Sequence, residues 1–216
     1  MHERERRGLF VTIEGIEGVG KTTALKFIQN YLTQQKIAFI ATREPGGTLV
    51  AEQIREILLK PDSGEPMAIE TELLLMFACR AQHLANLIKP ALAEGRWVVS
   101  DRFVDASYAY QGGGRGFNME QIALLEQWVV GSLRPDATIL LDAPPALGMA
   151  RAKRRGIHDR IEQEKIDFFE RVRAVYLARA KEDAQRFHIL DAADPLAQVQ
   201  AGIKTVLDKL MMETTP

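Results

Sequence analysis

The stretch Gly15-Ile16-Glu17-Gly18-Val19-Gly20-Lys21-Thr22 decides the fold. It is a complete G-x-x-x-x-G-K-T, and its surroundings suit a phosphate cradle. The apolar, branched run Leu9 to Ile13 reads as a buried strand before it, and helical spacing through Leu25, Ile28 and Leu32 follows it. Glycines let backbone amides curl around phosphate oxygens, and the unsatisfied N–H groups of the next helix face the same space. Lys21 is placed to reach the outer phosphates of a nucleotide, and the Thr22 hydroxyl to ligate Mg²⁺, with Thr23 a neighbour.

Outward from this loop, short apolar runs alternate with helical patterns. Strand candidates are Leu9 to Ile13, Ile37 to Ala41, Trp97 to Ser100, Ala137 to Leu141 and Phe187 to Leu190. Helical spacing covers Leu49 to Leu59, a long run from Ile69 towards Leu92, Ile122 to Val129, and the stripe Phe168, Phe169, Val172 and Tyr176. Such alternation predicts an α/β fold with a parallel sheet covered on both faces, as a single domain over residues 1–216. Gly112-Gly113-Gly114 followed by Arg115-Gly116 is expected to be a loop, because glycines are costly inside a regular helix.

Charge and composition remove several function classes. Lys and Arg number 28 against 29 Asp and Glu, a formal charge of -1, so no bulk field draws the chain to nucleic acid or to an acidic membrane. The first eight residues lack the apolar core of a secretory signal, and no uncharged run reaches the roughly 20 residues that span a bilayer. A soluble cytoplasmic protein is the expectation. The single cysteine, Cys79, sits in an apolar helical run and forms no disulfide within the chain.

Two further constellations bear on chemistry. Asp101 ends the third strand candidate, where open α/β sheets collect functional groups; it can hold water on a metal ion, and Arg102 can grip a phosphate with its planar fork. Arg151, Arg154 and Arg155 lie at helical spacings before Gly156 and Asp159-Arg160. From spacing alone this run is as compatible with a solvated helix face as with a lid, roughly residues 151–163, that closes on a phosphoryl group.

Several ordered signatures resemble the bacterial form of the thymidylate kinase family, among the P-loop nucleoside monophosphate kinases. Besides Glu14 to Thr23 they are Thr42-Arg43-Glu44-Pro45-Gly46-Gly47-Thr48, Arg80-Ala81-Gln82-His83, Asp101-Arg102-Phe103, Ala109 to Gly116, and Asp159-Arg160-Ile161-Glu162-Gln163-Glu164 before Asp167-Phe168-Phe169. The resemblance covers Leu9 to Leu210 and implies a three-layer P-loop kinase fold on a five-stranded parallel sheet. It implies transfer of the γ-phosphoryl group of ATP to dTMP with Mg²⁺, by a homodimer.

Carried onto this chain, the resemblance assigns Gly15 to Thr23 to ATP, and Thr22 and Asp101 to the metal. It places Glu17 near the sugar and acceptor phosphate, Arg43 and Arg102 at that phosphate, Arg80 at the base edge, and Ser107, Tyr110 and Gln111 along the nucleoside pocket. Lid arginines serve the transferring phosphoryl in this form, which makes Arg151, Arg155 and Arg160 candidates beside Lys21 and Arg102. Many relatives carry an aromatic residue four positions before the base-reading arginine, where this chain has Met76. The expectation is that Phe77 takes over the stacking by a slight helix rotation, with Met76 as the alternative. Other nucleoside monophosphate kinases and a non-catalytic nucleotide-binding module are the competing readings; the chain has no N-K-x-D guanine-reading signature.

Overall fold

A computed structural model describes residues 7–60, 64–153 and 159–214. Five strands form one parallel sheet: β1 (Phe10–Glu14), β2 (Phe39–Arg43), β3 (Trp97–Asp101), β4 (Ala137–Asp142) and β5 (Phe187–Asp191), in the order β2-β3-β1-β4-β5. Val11 pairs with Val99 on one side and with Ala137 on the other. β1 is buried at every position, as expected of a central strand covered on both faces.

The helices are α1 (Lys21–Gln34), α2 (Leu49–Leu59), α3 (Ile69–His83), α4 (Lys89–Ala93), α5 (Val104–Ser107), α6 (Met119–Val129), α7 (Pro145–Lys153), α8 (Ile166–Glu182) and α9 (Leu196–Thr214). Two apolar clusters flank the sheet. One gathers Val11, Ile13, Ile28 and Leu32 with Phe169 and Tyr176 of α8 and Leu207 of α9. The other gathers Phe10, Phe103 and Val104 with Leu73, Phe77 and Leu84 along α3 and its continuation. The helix–sheet–helix layering follows directly from these two faces.

Outgoing connections from β1 and β3 run in opposite directions along the sheet, to β2 and to β4. The crevice at the carboxyl ends of these two neighbours is therefore where an open α/β sheet holds its ligand. Residues 15–22 and 101–111 both meet there.

One expectation fails. Gly112 to Gly114 are not in a loop: they close a π-helical turn, Tyr108–Gly114, that continues α5. The turn packs on α8, and the glycines are needed for close approach. A Cβ on Gly113 would lie 2.6 Å from Val175 Cγ2 and 2.9 Å from the Arg171 carbonyl, and one on Gly114 would lie 2.4 Å from the Phe168 ring. Arg171 reaches back to donate to the carbonyls of Gly113 and Gly114, which satisfies the turn's free end. Gly113→Ala is accordingly expected to destabilise the protein by about 1–3 kcal/mol through overpacking, read as a lower urea midpoint with an unchanged slope.

Candidate active site

The site begins with the turn after β1. Gly18 holds φ 75° and Gly20 φ 95°, conformations that side chains rarely adopt. A Cβ on Gly18 would sit 1.9 Å from the Gly148 carbonyl, so α7 closes against the loop only because glycine is there. Ile16 and Val19 turn their side chains into the core, leaving their backbone to face the site. Gly20 caps α1: its carbonyl accepts from the Thr23 and Ala24 amides, and the helix start at Lys21 and Thr22 opens on the cavity. Lys21 Nζ folds over the loop and donates to the carbonyls of Gly15 (3.0 Å) and Ile16 (2.8 Å). Burial and the nearby Arg102 charge lower the Lys21 pKa to about 8.

Arg102 is the second anchor, and its backbone is strained. Its φ of 72° lies in the left-handed region, where a side chain costs energy unless neighbours impose it. Here three bonds impose it. Arg102 N donates to the Ile13 carbonyl (2.9 Å), Ser100 Oγ donates to the Arg102 carbonyl (2.7 Å), and Phe103 N donates to Glu14 Oε1 (2.7 Å). Tyr176 Oη fills the other Glu14 oxygen at 2.7 Å. Burial, with the charge of Asp105 nearby, raises the Glu14 pKa to about 8.

So held, the Arg102 guanidinium donates to the Gly15 carbonyl (2.7 Å) and to Glu17 Oε1 (2.6 Å), and lies 4.6 Å from the centre of the Tyr110 ring. Tyr110 Oη completes the set at 2.8 Å from Glu17. Burial works against the Arg102 charge, but Tyr110 and Glu17 hold its pKa well above the usual guanidinium value.

A cavity of about 550 Å³ joins these groups. On its wall lie Glu17, Gly18, Gly20, Lys21, Thr22 and Thr23 from the first loop, Arg43 from β2, and Asp101 and Arg102 after β3. Met76, Tyr110, Gln111, Arg151 and Arg160 complete the expected residues on that wall. Arg43 pairs with Glu52 at 2.8 Å. Arg151 donates to the Ala192 carbonyl (2.9 Å), and Arg160 donates to the Leu58 carbonyl (3.0 Å) while pairing with Glu72 at 2.7 Å. Arg154 and Arg155 fall outside the described residues.

Three residues expected around the nucleoside, Phe77, Arg80 and Ser107, are placed elsewhere. Phe77 is 2% exposed and sits in the core cluster, because the inward stripe of α3 runs through Leu73, Phe77 and Arg80 towards Leu84. A rotation that moved Phe77 to the cavity would expose that stripe, so the expectation of a stacking Phe77 is corrected: of the two candidates only Met76 stands on the cavity wall. Arg80 is buried off the cavity wall, with its guanidinium 4.7 Å from the centre of the Phe77 ring. Its donors go to Glu44 Oε2 (2.8 Å), Ser107 Oγ (3.1 Å) and the Phe103 carbonyl (3.1 Å), which also accounts for buried Ser107.

Residues that sequence reasoning missed stand on the same wall. Arg55 donates to the Pro45 carbonyl at 2.6 Å; in the sequence it is one charge among several on an amphipathic helix. Glu72 had a signal, since it lies four residues before Met76 and eight before Arg80, on one helix face. Its carboxylate gathers Gln111, Arg115 and Arg160. Burial pushes its pKa up, but the Gln111 hydrogen bond and the charges of Arg115 and Arg160 leave it below the usual carboxylate value. Cys79 Sγ accepts from Gly46 N at 3.0 Å in the turn after β2, and burial pushes its thiol up to about 11.

Thr22 and Asp101 both bring oxygen donors to this wall. Their chemistry fits Mg²⁺, which takes one or two protein oxygens and fills its shell with phosphate and water. Among the described residues there is no group of three or more His, Cys, Asp or Glu placed to hold a metal, and no helix long and apolar enough to cross a membrane.

A family model described as thymidylate kinase matches residues 13–203. A thymidylate kinase of Pseudomonas entomophila (strain L48) is 56% identical over 204 residues, covering 94% of this chain and 97% of its own. One from Vesicomyosocius okutanii is 52% identical over 205 residues, covering 95% and 100%. The crystal structure of a thymidylate kinase from Ehrlichia chaffeensis superposes with a TM-score of 0.75 at 30% identity, covering 94% of this chain and 99% of that one. The lowered Lys21 pKa has a kinetic consequence. In the free enzyme the lysine is charged below pH 8 and loses its proton as pH rises through about 8, so kcat/KM for the phosphate donor should fall above that pH in initial-rate profiles.

Proposed function

The chain belongs to the thymidylate kinase family and is an ATP-dependent dTMP kinase, and on that premise we propose how its residues divide the transfer. The observation that supports the division is one continuous wall, on which the phosphate loop and the arginines of β2 and β3 face the same cavity. An oxygen of the dTMP phosphate attacks the γ-phosphorus of ATP as the bond from that phosphorus to the β-bridging oxygen breaks. ADP leaves, and dTDP forms. The acceptor brings its own nucleophilic oxygen, so the enzyme need only position the groups and offset charge.

Lys21 and the loop amides hold the β and γ phosphates, while Arg43 and Arg102 hold the acceptor phosphate in line. Arg151 and Arg160 neutralise charge on the moving phosphoryl, within a lid of roughly residues 151–163 on a chain that works as one domain. Thr22 and Asp101 would hold Mg²⁺, whose positive charge would offset that of the phosphates. Glu17 and Tyr110 border the sugar, with Met76 packing a polarisable thioether on the thymine ring. Gln111 Oε1 is buried without a hydrogen-bond partner, an acceptor suited to the imide N–H of thymine.

An initial-rate screen with ATP-Mg²⁺ against thymidine, deoxyuridine, uridine, cytidine and adenosine monophosphates tests this, with products identified directly. The dTMP reaction should be fastest, and Lys21→Met should lose at least about 100-fold in kcat with its melting temperature unchanged. Equal rates on all acceptors would refute the pocket assignment; absence of dTDP would refute the chemistry.

The same reading includes a homodimer. α3 packs against both α2 and α6, and all three helices turn large apolar side chains outward: Leu49 and Ile57, Leu74, and Leu124 and Trp128. Trp128 is 82% exposed. Apolar faces on adjacent helices suit a self-complementary contact between two copies. Light scattering should give twice the chain mass for the wild type and the monomer mass for Trp128→Glu combined with Leu124→Glu; a monomeric wild type would rule the dimer out.

A further inference from the structure

We propose that Glu72 is a specificity-determining residue: it fixes which end of the Gln111 amide faces the base, and so selects imide bases over cytosine. Gln111 Nε2 donates to Glu72 Oε1 at 2.8 Å, deep in the cavity wall. The other face of the carboxylate is taken by Arg160 at 2.7 Å and by Arg115 Nε at 3.2 Å, and Arg115 is braced in turn by Glu164 and by the Phe168 ring. Two guanidiniums keep Glu72 ionised, and an ionised carboxylate can only accept.

The amide must therefore turn its nitrogen to Glu72, which leaves Oε1 as the exposed end of its recognition edge. That oxygen is the atom buried without a partner. Thymine and uracil offer N3–H to it. Cytosine offers a lone pair at N3, which meets acceptor with acceptor. Flipping the amide to suit cytosine would set Oε1 against the Glu72 carboxylate, the same mismatch moved one bond inward. A buried mismatch of this kind costs far more than loss of a solvent-exposed hydrogen bond.

This inference rests on the dTMP kinase reading and adds a residue that does not touch the substrate. Its test is the ratio of kcat/KM for dTMP to that for dCMP, measured in wild type and in Glu72→Gln. A glutamine at 72 can donate as well as accept, so Gln111 can flip, and the ratio should drop by about tenfold or more. A merely structural role would lower both values together and leave the ratio in place, which would overturn the proposal.

If Glu72→Gln does not fold, the wild type decides by NMR. The Gln111 side-chain amide protons, assigned by their loss in Gln111→Leu, should exchange slowly with solvent before dTMP is added and remain slow afterwards. Fast exchange in the free protein, or movement of the amide nitrogen onto the base, would overturn it. Failure of the kinase reading itself would show separately, as no dTDP from the wild type.

Discussion

Arg102 occupies a backbone conformation that arginine avoids, and the arrangement of the active site depends on keeping it there. Three hydrogen bonds, one of them to the buried Glu14, hold the residue at the carboxyl end of β3, where its side chain can reach both the phosphate loop and the Tyr110 ring. In a relaxed helical or extended conformation the guanidinium would leave along a different vector and lose Gly15 and Glu17. Sheet order makes this possible: β1 and β3 are hydrogen-bonded neighbours, so Ile13 can fix Arg102 from the adjacent strand.

Several cations of the site already have partners within the protein. Lys21 rests on two loop carbonyls, Arg102 on Glu17 and Arg43 on Glu52. Substrate phosphates therefore exchange with partners already in place rather than meeting bare charge. That exchange favours ligands with several anionic oxygens, since a weaker anion cannot displace a carboxylate already paired in a half-buried wall.

The fold was largely legible in the chain because its strongest signals are local. The phosphate loop, the five apolar runs and the helical stripes depend on residues close in sequence, and the strand candidates fall within a residue or two of the observed strands. What escaped depends on partners far along the chain. Gly112 to Gly114 read as a loop because glycine disfavours isolated helices, whereas the reason for Gly113 and Gly114 lies in α8, more than fifty residues on. Phe77 and Met76 differ by one residue on a helix, and only the packing of Leu73 and Leu84 decides which faces inward. Arg55 and Glu72 look like ordinary surface charges until the cavity is assembled around them.

The lone thiol lends the turn after β2 a chemical clock. Cys79 is buried between Gly46 of that turn and Ala51 of α2, and burial raises its pKa and keeps it protonated and unreactive. An alkylating reagent can reach the sulfur only when the packing of this turn and of α2 on α3 opens. With one cysteine in the chain, the rate of labelling counts those excursions without any background from a second site.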